Sequence, residues 1–120
     1  AMNLIAGEKT GDVIVINQNI RMKVPSHLQS LMDGRYTFGI RAADITIDKE
    51  GDLWEVELSE ISGSETFVHL RNGEHTVVGL LEMVKEIQIG DKIPVQFDTQ
   101  WLYAFDQKGD LTASPFQKAD

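Results

Sequence analysis

The sequence contains no cysteine, few basic residues and no long apolar run. The absence of cysteine excludes disulfides, thiolate nucleophiles and cysteine-bound zinc or iron–sulfur sites, which fits a reducing compartment. Because 19 acidic residues outnumber 11 basic ones, for a net charge of −8, nucleic acid and anionic lipid are unfavourable partners. No apolar run approaches the ~20 residues that span a bilayer. The first residues also lack the basic and apolar stretches of a signal peptide.

The composition is that of a globular protein the size of one domain. The chain has 120 residues, of which 42% are hydrophobic and 25% charged. A chain of this length can bury a core without help from disulfides or metal. We therefore predict a single β-domain over residues 1–113, and we expect residues 114–120 to fray.

Short apolar stretches in the first part of the chain predict strands. The unbroken β-branched run at 13–16 is typical of a strand buried on both faces. Ile20, Met22 and Val24 alternate with charged residues, which predicts a half-buried strand. The one helical pattern follows, where Ser26 can cap and Gly34 can end a short helix near 26–33.

The middle of the chain shows alternation with one break. Trp54, Val56 and Leu58 alternate with glutamates, which predicts a strand with these three side chains on its buried face. Ile61 is out of phase by one residue, so we predict a β-bulge near 59–60.

Turn signals separate the strands at short intervals. They include the polar segment 48–52, the hairpin-forming Asn72-Gly73 pair and the Gly90-Asp91 pair. Many short strands joined by such turns predict a mainly β fold. The architecture is expected to be a small β-barrel or paired barrels.

No complete catalytic or metal-binding pattern is present. The segment 7–11 contains a Lys-Thr pair but lacks the glycine before the lysine and the spacing of a phosphate-binding loop, so it predicts no ATP site. His69 and His75 flank a hairpin turn and could face each other as a metal pair, although solvent-facing histidines are the commoner outcome. Without a nucleophile–base pair, we predict that this chain is not itself an enzyme and holds no cofactor.

The acidic strand has two interpretations. Glu55 and Glu57 lie on the polar face of an alternating strand, where carboxylates are usually solvated. The same face could instead receive a basic partner.

Three places are predicted as contact sites, each with a structural alternative. A Gly-Ser corner between apolar strands could expose N–H groups to an anion, or simply turn the chain. A polar turn could form a local ion pair or touch a neighbouring subunit. An aromatic stripe with Tyr103 could form core, a subunit interface, or a platform for bases or sugars. The residues are Gly63, Ser64, Glu65 and Thr66 at the corner, Arg41 and Asp44 at the turn, and Trp101 and Phe105 in the stripe.

The order of these motifs resembles a known family. Residues 39–45 read Gly-Ile-Arg-Ala-Ala-Asp-Ile, and an acidic-apolar strand leads into Gly-Ser-Glu-Thr at 63–66. A Gly-Asp turn precedes an alternating strand, and the Phe105-Asp106 pair stands near the end. This arrangement is similar to the TOBE-type, OB-like region that follows the ATPase domain in carbohydrate-type ABC importers. The resemblance implies a mainly β fold with an OB-like barrel, or two interleaved small barrels. Two departures are Ala42, where proline is usual, and Tyr103-Ala104, where a His-Leu-like pair is common.

The resemblance implies the function of the chain. It implies a C-terminal regulatory and dimerisation domain of a sugar or glycerol-phosphate importer, with Met2 internal to a longer protein rather than a start. Its partners would be a second copy of the subunit, the membrane-spanning subunits and, in some family members, a cytosolic regulatory protein. The position would be cytoplasmic, at the inner face of the membrane, and ATP and Mg²⁺ would bind only in the parent's ATPase domain.

Two other functions remain open from the residues. One is a free-standing relative of the same β-domain that binds an oxyanion such as molybdate, tungstate or sulfate, which the charge of −8 disfavours. The other is an OB-type nucleic-acid module, for which the aromatics are present but a basic groove is not.

Overall fold

The computed structural model describes residues 2–115, which form ten strands and three short 3₁₀ turns. The turns lie at Ser26–Leu28, Ala42–Asp44 and Thr99–Trp101. The mainly β prediction is confirmed, with the strands in two sheets, neither of which closes into a barrel within the described residues; this is compatible with an OB-like fold. The strands are β1 (Met2–Thr10), β2 (Val13–Val15), β3 (Arg21–Lys23), β4 (Gly34–Arg41), β5 (Ile45–Ser62), β6 (Glu65–Asn72), β7 (His75–Leu81), β8 (Lys92–Phe97), β9 (Tyr103–Phe105) and β10 (Leu111–Ala113).

The chain forms two compact units. The insert unit is Arg41–Phe97 together with the start of β1 through Asn3, and the terminal unit is Leu4–Ile40 together with the described residues from Asp98 onward. The one-domain prediction for 1–113 stays a prediction, and most of the predicted frayed segment, residues 116–120, lies outside the described residues. Within residues 2–115, no helix is long and apolar enough to cross a membrane.

The terminal unit is built on a six-stranded sheet with the order β10-β9-β4-β1-β2-β3. The predicted alternation around β3 is present, because Ile20 and Val24 are buried while Met22 is half-buried. In the β-branched run only Ile14 and Ile16 are buried, so β2 is covered less completely than predicted. The buried apolar side chains of this unit are Ile5, Ile14, Ile16, Ile20, Val24, Leu28, Phe38, Ile40, Leu102 and Ala104.

The helix predicted near 26–33 is a single 3₁₀ turn at Ser26–Leu28. Pro25 occupies the capping position and no side chain caps the turn, so the prediction of Ser26 as the cap is wrong. Gly34 is the first residue of β4 and does not end a helix. This single turn buries Leu28 in the core, and the chain then enters β4 of the sheet.

Asp33 lies in the loop just before β4 and is bonded to the end of β1 and to the turn between β1 and β2. Lys9 is buried, and its Nζ lies 3.3 Å from Asp33 Oδ1. The backbone N–H of Gly11 donates to the same carboxylate oxygen over 2.9 Å. The hydrogen bond from Gly11, followed by that from Lys9, holds the pKa of Asp33 below its ordinary value of 3.8.

Asp33 is expected to make a contribution to the stability of the terminal unit that is lost in acid. A carboxyl whose pKa is lower in the folded state stabilises the fold fully above its unfolded pKa, and this stabilisation is lost as pH falls through the folded value. Below pH 3.8 the urea midpoint of the wild type should therefore fall faster than that of Asp33→Asn, until the two curves converge. Asp12→Asn, at an exposed neighbouring position, is the matched control and should leave the urea midpoint at pH 7 close to that of the wild type. Parallel curves for wild type and Asp33→Asn would contradict the expectation.

The insert unit is built on a four-stranded antiparallel sheet with the order β7-β6-β5-β8. The predicted Asn72-Gly73 turn is present and joins β6 to β7 as a hairpin. Inside the unit, Gly79 of β7 lies against β5, since an added Cβ would stand 2.4 Å from Ile47 Cδ1. The buried apolar side chains are Ile45, Ile47, Trp54, Val56, Val68, Leu70, Val77, Ile93, Val95 and Phe97.

The predicted polar turn at 48–52 is instead an irregularity within one long strand. β5 runs through the segment, and its register with β8 shifts between Ile47 and Asp52. Asp48 and Gly51 have φ angles of 63° and 121°, respectively, so the extra residues are absorbed by positive φ angles rather than by a chain reversal. The prediction of a turn is therefore wrong, although the regular pairing of the strand is interrupted in the predicted segment.

The predicted bulge in β5 exists, but it lies earlier in the chain. The register with β6 shifts between Val56 and Leu58 and not near 59–60. Because partners directly opposite in an antiparallel pair share a face, Leu58, opposite His69, is exposed, and its predicted place on the buried face is wrong. Ile61 then lies opposite the buried Thr66.

Asn3 binds the edge of β7 through its side chain. Its Nδ2 donates to the carbonyl oxygen of Val78 over 2.9 Å, and the N–H of Val78 donates to Asn3 Oδ1 over 2.7 Å. One amide side chain thus satisfies both backbone groups of an edge residue, as a neighbouring strand would.

Candidate interaction surface

The Gly-Ser corner is the tip of the hairpin that joins β5 to β6. Gly63 and Ser64 are exposed, and Gly63 has a φ of 62°, which glycine adopts without strain. Glu65 begins β6 and is half-buried. The corner therefore presents backbone and one carboxylate to solvent, and its role as a contact site stays a prediction.

Thr66 points into the insert unit. Its side chain is fully buried, and its Oγ1 donates to the carbonyl oxygen of Met83 over 2.7 Å. The same oxygen accepts the N–H of Lys85 over 3.1 Å. Thr66 therefore fixes the segment that follows β7.

Replacing Thr66 with valine is expected to lower the free energy of unfolding by about 1–3 kcal/mol, because two part-buried backbone groups lose their partner. Amide exchange at Lys85 should also accelerate. Urea unfolding and hydrogen exchange measure the two effects. Thr76→Val, on the exposed side of β7, is the matched control and should change stability by less than about 0.5 kcal/mol. Equal losses in both variants would contradict this role.

Arg41 and Asp44 lie at opposite ends of one short turn. Arg41 is exposed at the end of β4, and Asp44 is half-buried at the end of the 3₁₀ turn Ala42–Asp44. The turn packs against β7 within the insert unit. Both residues take part in interactions within the structure. Their proposed contact with a neighbouring subunit stays a prediction.

The aromatic stripe of the terminal unit is shorter than predicted. Trp101 lies in the 3₁₀ turn Thr99–Trp101 and not in a strand, because the N–H of Trp101 donates to the carbonyl of Asp98. Only Tyr103 and Phe105 share a face of β9, and both are half-buried while the intervening Ala104 is buried. A role of Trp101 and Phe105 in dimerisation stays a prediction.

Exposed side chains on β5 and β6 pair with each other across the two strands. Arg71 on β6 approaches Glu57 at 3.3 Å and Glu55 at 3.7 Å. His69 Nε2 lies 2.9 Å from Glu60 Oε1, and the residue opposite His69 on β7 is Val78, not His75. The predicted facing of the two histidines is therefore wrong. Among residues 2–115, no group of three or more His, Asp or Glu could hold a metal ion.

A surface that the sequence did not indicate lies beside the second half of β5. A cleft of about 370 Å³ is bounded by Ser59 and Ile61 on one side and by residues 85–88 on the other. The only sequence signal near it was the shift in phase at Ile61, which brings this side chain opposite Thr66. Nothing in the local pattern of 85–88 predicts that this segment would line a cleft.

A second shallow cleft borders the Arg41/Asp44 turn. Ala43, Ile45 and Lys49 line one part of it, and Leu80 and Met83 line another. It places mixed apolar and charged surface beside a predicted contact site.

Comparison with known proteins gives one informative similarity. No protein-family model matches the chain. Over 79 residues, covering 64% of the chain, it is 33% identical to the sn-glycerol-3-phosphate import ATP-binding protein UgpC of Bordetella avium (strain 197N). The alignment covers 22% of that protein, so the chain spans only about a fifth of the curated relative it matches. The chain is thus similar to part of an import ATP-binding protein, in agreement with the importer context that the sequence motifs predict.

Proposed function

We propose that the chain is the C-terminal regulatory and dimerisation domain, of the TOBE type, of the ATP-binding subunit of a sugar-type ABC importer. The observation that carries the proposal is the 33% identity to part of an import ATP-binding protein. The mainly β fold is compatible with it. In this proposal ATP and Mg²⁺ bind elsewhere in the parent protein, since the segment 7–11 lacks the pattern of a phosphate-binding loop.

The domain would act through binding rather than chemistry. Two copies would hold the two ATPase domains of the importer together at the cytoplasmic face of the membrane while those domains open and close. A cytosolic regulator that binds one conformation better than the other would shift the equilibrium by its differential affinity. The Gly63–Thr66 corner, the Arg41/Asp44 turn and the Trp101/Phe105 surface are the proposed contacts.

The first test concerns the size and place of the parent protein. An antibody raised against this chain is used on fractionated source cells. The proposal expects a band much larger than 13.4 kDa in the membrane fraction. A soluble band near 13.4 kDa would overturn it.

The second test concerns the contact role of Arg41. In the full-length parent, Arg41→Glu should weaken dimerisation, measured by sedimentation, and lower uptake of sugars and of sn-glycerol-3-phosphate by cells. Arg35→Glu makes the same charge change at another exposed position, on β4, and should leave both unchanged. If Arg41→Glu also leaves both unchanged, Arg41 is removed from the proposal.

A further inference from the structure

The second half of β5 has a strand partner on one side only. β8 pairs with β5 from Ile45 to Glu55, and β6 pairs with it from Glu55 to Ser62. The last contact on the β8 side is at Val56, whose N–H donates to Asp91 and whose carbonyl accepts the N–H of Gly90, both over 2.8 Å. Among residues 2–115, only β6 pairs with residues 57–62. This segment, the β5 edge, is therefore open on its other side.

The cleft beside the β5 edge is bounded by residues 85–88, and hydrogen bonds fix the chain on both sides of this segment. At its start that segment is tied to Thr66 through Met83 and Lys85, and at its end it is tied to Val56 through Gly90 and Asp91. Lys85 is also paired with Asp48. Because both ends are fixed, residues 85–88 stand beside the edge and leave the cleft between them.

The lining of the cleft combines apolar side chains with one acidic and one basic residue, Glu86 and Lys85, in a unit that is acidic overall. Among the apolar residues that line the cleft or adjoin its lining in sequence, three are more than half exposed, and exposed apolar side chains at one place are a common mark of a binding site. They are Ile61, Val84 and Ile89. Glu86 lines the cleft, and Glu60 is on the edge itself. Residues 41–97 contain 12 acidic against 5 basic residues, so this unit carries −7 of the total charge of −8.

The cations nearby leave much of this negative charge uncompensated. Lys85 is paired with Asp48, and Arg71 is shared between Glu55 and Glu57. His69 pairs with Glu60, but both groups are exposed and the pair is screened by solvent. Such a surface attracts basic groups.

We propose that the β5 edge binds an extended peptide segment in which basic and apolar residues alternate, added to the sheet as a further strand. The edge offers the backbone groups that give affinity in strand addition, and the cleft receives alternate side chains. The acidic residues favour lysine and arginine at the exposed positions. They also disfavour a second copy of this chain, because like charges would face each other across the new pair. The proposal uses only the insert unit and does not depend on the importer assignment.

The probe for this proposal is a fluorescein-labelled peptide of alternating lysine and valine. Fluorescence anisotropy should show saturable binding to the full chain, weakening as salt is raised. On binding, amide exchange should slow in residues 57–62. A peptide of alternating glutamate and valine should not bind. Absence of saturable binding of the lysine peptide would overturn the proposal.

Matched charge reversals locate the site. Glu60→Lys combined with Glu86→Lys should weaken binding about tenfold or more. Glu50→Lys combined with Glu74→Lys changes the net charge equally at exposed positions away from the cleft, in the β5 irregularity and the β6–β7 turn, and should bind nearly as the wild type does. Urea unfolding confirms that both variants fold. Equal weakening in both would mean that overall charge, not the β5 edge, attracts the peptide.

A backbone-modified probe separates strand addition from charge attraction. The same lysine–valine peptide with N-methyl groups on alternate residues keeps its side chains but loses donors along one edge. The methyl groups can be placed on the lysines or on the valines, and one of these two peptides should lose binding because its methylated edge faces β5. Unchanged binding of both patterns would overturn strand addition. A concentration-dependent dimer of the chain that the lysine peptide does not dissociate would overturn the choice of occupant, because it would assign the edge to a second copy.

Discussion

Replacing Gly51 with alanine is expected to lower the free energy of unfolding by about 2–6 kcal/mol, the sum of backbone strain and a steric clash. Gly51 has a φ of 121°, which residues with a Cβ rarely adopt. A Cβ at this position would stand 2.1 Å from the carbonyl oxygen of Val95 and 3.0 Å from the N of Gln96. These atoms belong to the backbone of β8, which is paired with β5 on both sides of the irregularity, so they cannot move aside without breaking the sheet.

Urea unfolding of the variant, followed by circular dichroism, measures this effect. Gly63→Ala is the matched control, since Gly63 also has a positive φ, 62°, but an added Cβ meets nothing within 4 Å. The control should lose only about 1–2 kcal/mol, the cost of the left-handed conformation alone. If the two variants were equally destabilised, the close approach to β8 would not be the reason that glycine is needed at position 51.

Replacing Trp54 with alanine is expected to cost about 3–5 kcal/mol, the range for removing a large aromatic side chain from a core. Trp54 is 1% exposed and its ring centroid lies 6.0 Å from that of Phe97. It lies opposite Ile93 on β8, so its removal leaves a cavity against rigid strands on the buried face of the insert unit. Because proteins of this size are stable by only about 5–15 kcal/mol, a large part of the stability would be lost.

The control for Trp54 is its neighbour in sequence. Leu53 is 59% exposed, and Leu53→Ala should change the free energy of unfolding by less than about 0.5 kcal/mol. Chemical denaturation of both variants gives the comparison. A loss at Trp54→Ala no larger than that at Leu53→Ala would contradict the assignment of Trp54 to the core.

The local parts of the fold are predictable from the sequence because they depend on period two and on turn chemistry. Alternation places Trp54 and Val56 on the buried face, and the Asn72-Gly73 pair gives the hairpin between β6 and β7. Both signals are complete within a few residues of the chain. For the same reason the mainly β class follows from counting strands and turns.

The phase of β5 is less predictable because it depends on a bulge. Either a bulge near 59–60 or one between Val56 and Leu58 brings Ile61 back into phase, but only the second turns Leu58 outward. A slip of one residue exchanges the two faces of a strand, and only the pairing with β6 decides where it occurs.

The candidate site is predictable where its residues are adjacent in sequence. The Gly63–Thr66 corner and the Arg41/Asp44 turn are found as single features for this reason. The cleft at the β5 edge is not, because it depends on a hydrogen bond that joins Thr66 to Lys85 across 19 residues. Trp101 was misplaced because a period-two aromatic pattern does not reveal that the Thr99–Trp101 turn precedes β9.

The order of the two units along the chain has a consequence for synthesis on the ribosome. In the terminal unit, β4 pairs with β9, with Phe38 opposite Ala104. Between these strands lies the nearly contiguous insert unit, so β4 must wait on the order of seconds for its partner at usual translation rates. The insert unit can fold during that delay and shorten the loop that remains to be closed. We expect nascent chains to acquire the acidic insert unit first, with the sheet of the terminal unit completed last.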